Sequence, residues 1–141
     1  MSQENVEIAR RAVEEFNQQF DAEKLDLVLF APDIVTDSSN AVFDGAVYRG
    51  HDGVREWLSW LRGMWTRQQL EPEEFIPTEG GQVVVPERIV SVGRDNVETV
   101  ARAAVVVTVQ NGKVTHIKTF QSKADALEAV GLSEQDAHAD S

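Results

Sequence analysis

A chain of 141 residues, 42% of them hydrophobic, suits one domain with its own core and excludes a disordered protein. Its formal net charge of −11 argues against nucleic acid and anionic membrane surfaces as partners, because a phosphate backbone calls for a basic face. With no cysteine, disulfides, thiolate catalysis and zinc–cysteine sites are excluded.

The opening segment lacks the apolar region of a signal peptide, and no apolar run approaches the ~18 residues of a membrane span. A cytoplasmic location is therefore expected. From Ser2, with Asn5 as a second candidate cap, Val6, Ala9, Val13, Phe16 and Phe20 recur at helical spacing. A second short helix is expected from Ala22 to Phe30, stopped at Pro32. "IVTDSS" reads as a short strand and "NAVFDGAVYRG" as a loop with a small hairpin. A third helix is expected from about His51 to Trp65, with Val54, Trp57, Leu58, Leu61 and Trp65 on one face and Trp60 and Met64 on its flank.

Past this helix the pattern changes. "LEPEEFI", "QVVVPERIVSV", "VETVARAAVVVTV" and "KVTHIKTF" are β-rich runs separated by the turn signals "EGG", "GRDN" and "QNG", which predicts an antiparallel meander. Ser122 caps a short last helix, "KADALEAV", closed by Gly131. The expected fold is α+β, with three N-terminal helices packed on one face of a curved antiparallel sheet and a short C-terminal helix. It forms a single domain over residues 1–134, and residues 135–141 form a polar, flexible tail. A sheet curved around helices leaves a concave space where small ligands bind.

"NVEIARRAVEEFN", "YRGHDGVREWL", "EPEEFI" and "NGKVTHIKTF" followed by "KADALEAVGLSE" together resemble the NTF2-like superfamily, and within it the SnoaL-like proteins of actinobacterial type. That resemblance implies a cone-shaped fold with an apolar pocket for a small hydrophobic organic molecule, chemistry without a cofactor, and commonly a homodimer across the outer face of the sheet. The best-known relatives, the ketosteroid isomerases, use a carboxylate base and two donors to an enolate. Similarity to them places the donor tyrosine at Phe16, the base at Ser38 and the protonated acid near Val105, so all three groups are replaced. Asp37, next to Ser38, remains a candidate base only if the strand register slips by one, which turns its side chain to the other face. The same similarity assigns Trp57, Leu58, Ile117, Thr119 and Gln121 to the pocket wall, with Ala103, Val105 and Val107 on the pocket face of the long strand.

Glu87 is the leading candidate for chemistry. It interrupts a run of apolar and β-branched residues beside Pro86, which lacks a ladder donor and marks a bulge or an edge. "PERI" resembles an isomerase segment whose second residue faces the pocket, and alternation agrees if Val85 and Ile89 face in as well. An inward carboxylate has its pKa raised and becomes an acid, a base or a ligand acceptor near neutral pH. The alternative is an outward Glu87 paired with Arg88, Arg102 or Lys118.

Tyr48 either reaches a ligand near the pocket mouth or packs under the loop. His116 and Lys118 take the outer face with Arg102 and Glu98. His51 and Asp52 open the third helix, where Asp52 caps free N–H groups or complements the helix dipole. His51, His116 and His138 show no metal-ligand spacing. Two readings follow. One is an acid–base enzyme acting on polyketide- or steroid-like substrates through Glu87, assisted by Asp37, Ser38, Thr119 or Gln121. The other is a non-catalytic binder selecting by shape. A cavity opened around a lone carboxylate also fits a designed proton-abstraction catalyst.

Overall fold

Helix α1 (Ser2–Gln18) buries Ala9 and Phe16, two members of the expected apolar stripe. The computed structural model describes residues 2–20, 23–39 and 46–132. The helix expected from Ala22 to Phe30 is not formed. Residues 23–29 are turns and irregular chain, Ala22 lies outside the described residues, and strand β1 runs Phe30–Asp37. Local polar bonds explain the difference. The Glu15 carboxylate accepts from Asp26 N (2.8 Å), and Asp26 accepts from Val28 N (3.0 Å), so side chains take the amides a helix would need. Pro32 sits inside β1, at a break in its register with the neighbouring strand.

Residues 40–45 of the expected loop lie outside the described residues; strand β2 (Val47–Arg49) runs antiparallel to β1. Helix α2 (Gly50–Met64) buries Val54, Leu58 and Leu61. Its entry explains the "GHDG" motif. Gly50 adopts φ +74°, a left-handed conformation that favours glycine, and a Cβ at Gly53 would lie 2.9 Å from the Tyr48 backbone. His51 Nε2 lies 2.9 Å from the Phe30 carbonyl and ties the helix to β1. Asp52 makes no side-chain cap; it sits in the first turn and pairs with Arg55 at 3.3 Å.

Strands β3 (Arg67–Pro72), β4 (Ile76–Pro77), β5 (Gln82–Val92), β6 (Glu98–Gln110) and β7 (Lys113–Phe120) complete a sheet of order β2-β1-β7-β6-β5-β3, with β4 on β5. The meander is antiparallel as expected, but β1 joins β7 in parallel, so the sheet is mixed. The long connection through α2 and the meander permits that pairing, which a tight turn does not.

Alternation along β5 and β6 sends side chains to both faces. Val83, Val85 and Val107 pack toward Ala9 of α1 and Val54 of α2. Val84, Ala104 and Val106 pack on the opposite face against Ala126 and Leu127 of helix α3 (Lys123–Ala129). The described helices therefore number two before the meander and one after it, and they cover both faces of the sheet. Ser122 Oγ caps α3 by accepting from Asp125 N at 3.1 Å, and Gly131 closes it at φ +78°. The expected tail, residues 135–141, lies outside the described residues. No described helix is long and apolar enough to cross a membrane.

Candidate binding cavity

Between α1, α2 and the concave face of the sheet lies a cavity of about 220 Å³. β5 contributes Val85, Glu87 and Ile89; β6 contributes Ala103, Val105 and Val107. Ile117 and Thr119 of β7, and Gln121 just beyond it, form the next stretch of wall. Phe16, Ser38 and Trp57 close it from α1, the end of β1 and α2. These residues come together because a strand repeats its facing every second residue, so one face of each strand points inward.

Three expected residues lie elsewhere. Leu58 is fully buried, but it packs with Phe16 and Leu61 between the elements and does not reach the wall. Tyr48, on edge strand β2, is outside the cavity lining. So is Asp37, which faces the opposite side of β1 from Ser38. Its carboxylate accepts from the Ser39 hydroxyl (2.5 Å) and amide (2.9 Å) and lies 3.8 Å from Lys118 Nζ. Partial burial pushes its pKa up, but the two Ser39 bonds, Lys118 and Arg49 outweigh that and hold it below 3.8. Such a carboxylate stays ionised and is a poor base.

Glu87 has the opposite surroundings. It is 2% exposed and flanked on the wall by Val85 and Ile89. Its register partners are Ala103 on one side and Pro72 on the other. Among the described residues its carboxyl has no hydrogen-bond or ion-pair partner. The cations suggested as outward partners are engaged elsewhere: Arg88 with Glu71 (3.4 Å), Arg102 with Glu73 (2.9 Å) and Lys118 with Asp37. Burial pushes its pKa from 4.5 to about 8. Pro86 sits where β5 passes from pairing with β4 to pairing with β3, and its carbonyl accepts from Glu73 N at 2.8 Å.

The wall also holds residues not anticipated there. Trp60, Met64 and Trp65 continue the α2 side, so all three tryptophans of the chain reach the cavity. Gln68 and Ser91 add a polar spot, with Gln68 Nε2 donating to Ser91 Oγ at 3.0 Å. Counting by twos from Glu87 along β5 finds Ser91, and the antiparallel register places Gln68 opposite it. No cluster of three His, Asp or Glu residues suited to a metal exists among the described residues.

The SnoaL-like domain family matches residues 9–117, and the chain belongs to that family. Solved structures share the fold. TerC, co-crystallised with polyporic acid, is 21% identical, with a TM-score of 0.72 over 91% of this chain and 98% of that one. Bal32a, from a soil-derived mobile gene cassette, is 16% identical, with a TM-score of 0.72 over 84% and 88%. A Catenulispora acidiphila protein of ketosteroid isomerase-like fold, solved with trimethylamine, is 15% identical, with a TM-score of 0.65 over 85% and 92%. No curated protein sequence matches significantly.

Proposed function

We propose that the cavity binds a small, largely apolar organic molecule, and that Glu87 is the one group in it that exchanges a proton with that molecule. The observation that carries this reading is the unpartnered, buried carboxyl on an otherwise apolar wall. Burial without a partner is costly, and a ligand able to engage the group offsets that cost. Structures of TerC and of the Catenulispora acidiphila protein with small organic molecules support the same use of the fold. At about 220 Å³ the cavity is smaller than the ~300–1,000 Å³ of typical drug-sized sites, which favours a compact ligand over a steroid-like one.

Cofactor-independent acid–base catalysis of the isomerase or cyclase type is the second reading. The Glu87 pKa near 8 favours it, because a group poised near neutrality both accepts and donates protons. Phe16 has no hydroxyl to serve as the enolate donor; Ser38, Thr119 and Gln121 are among the uncharged hydrogen-bonding groups the lining still offers. We also propose a cytoplasmic homodimer joined through the outer face of the sheet, where Val100 of β6 is 48% exposed.

Native mass spectrometry of the purified protein, followed by titration of any released molecule with tryptophan fluorescence as the signal, tests the binding reading. Glu87→Gln is expected to weaken binding by tenfold or more. Unchanged affinity would remove Glu87 from the site.

A further inference from the structure

We propose that the ligand is a small apolar amine, held as its ammonium cation between the Glu87 carboxylate and the tryptophan-bearing wall. The inference rests on the cavity being a small-molecule site, and it assigns the chemical class.

Glu87 is buried to 2% exposure on the cavity wall and has no counterion among the described residues. The one other charged residue on the lining, Arg102, directs its guanidinium outward to both Glu73 carboxylate oxygens, at 2.9 and 3.0 Å. A buried carboxylate next to apolar side chains is strongly disfavoured, and either a proton or a paired cation neutralises it. Here the ligand is the cation that completes the pair. An anionic ligand meets the reverse situation, with Glu87 in front of it and no free cation behind it.

Trp57, Trp60 and Trp65 line this one cavity together with Phe16. Aromatic rings attract alkylammonium groups through their negative faces while also covering the alkyl part, and tryptophan does so best. A neutral hydrocarbon ligand needs the grease but has no use for the carboxylate. A polar anion has use for neither.

Glu87 pairs across the ladder with Ala103, whose methyl side chain leaves the region beside the carboxylate open. The pairing of Ala104 with Phe120 places Gln121 on the far side of Ala103. A substituted nitrogen fits over Ala103, with its N–H directed to Glu87. At long range, the net charge of −11 raises the local concentration of cations.

The test uses a matched pair of probes, N,N-dimethylbenzylamine and its uncharged isostere isobutylbenzene, titrated into the intact protein by calorimetry and tryptophan fluorescence at pH 8. The expected result is at least tenfold tighter binding of the amine. Glu87→Gln should lose that preference while still binding the isostere. Glu87→Leu, which removes the buried polar group altogether, serves as a second folded variant and should behave like Glu87→Gln. Equal affinities in the native protein, or a preference for the isostere, would overturn the amine assignment and leave the small-molecule site standing. An amine preference that survives both variants would overturn the role of Glu87. Failure of both probes to bind would sink the small-molecule reading itself, and the amine with it.

Discussion

Glu87 makes the folded state hold a proton that the unfolded chain releases. Its pKa is about 8 when folded, against 4.5 for an unperturbed glutamate. Between those values the native state binds more protons than the unfolded one, so stability falls as pH rises. Its favourable contribution is complete below 4.5, declines by at most ~1.4 kcal/mol per pH unit, and levels off above 8. Glu87→Gln should remove this slope. Denaturant unfolding is expected to show the variant more stable than the native chain by a few kcal/mol at pH 8, with the gap closing toward pH 5. A gap independent of pH would show that Glu87 does not titrate in this range. Asp37 follows the opposite rule. Its folded pKa is lowered, so its contribution is present above the unfolded value and disappears on acidification. Two carboxylates on one sheet thus have different characters, because one has Ser39 and Lys118 beside it and the other has neither.

At the scale of elements, strand alternation was the most informative signal in the sequence. The runs ending in "VVVPERIV" and "ARAAVVVTV" are long enough for period-two facing to decide which residues share a wall, and Val85, Ile89, Ala103, Val105 and Val107 do share one with Glu87. The same counting put Asp37 and Ser38 on opposite faces, as they are. Periodicity did not reveal the loss of the helix over 22–30. Bonds from Glu15 and Asp26 to backbone amides decide that segment, and the Glu15 bond spans eleven residues. Leu58 packs beside the cavity and not on its wall for a related reason: being near the cavity does not tell which neighbour a side chain meets first. Because Ala103 leaves the opening beside Glu87, Ala103→Leu is expected to reduce ligand affinity at least tenfold. Its melting temperature should stay within a few degrees, since the added methyl groups enter cavity space and not a packed core. Titration and thermal melting of the one variant check both expectations.

For the molecule as a whole, the fold was readable from the sequence in its outline and the cavity in its main wall, whereas the parallel partner of β1 was not. Nothing local to "APDIVTD" distinguishes pairing with β7 from pairing within an antiparallel meander. The outer face carries Val100, which is 48% exposed. If two copies join there, Val100→Glu should weaken dimerisation at least tenfold in sedimentation equilibrium and leave cavity binding intact. A native chain that sediments as a monomer would end the dimer proposal. The pairing of Phe30 with Val114 and of Asp37 with Lys118 has a further result, in time rather than space. Strand β1 waits for β7, so residues 38–120 must follow it off the ribosome before the sheet closes. Contacts so distant in sequence bear a large loop-closure cost and slow the search. Until that strand arrives, Ile117 and Thr119 are absent from the wall and the nascent protein has no enclosed site. Enclosure of the cavity thus waits for β7 to be made and paired.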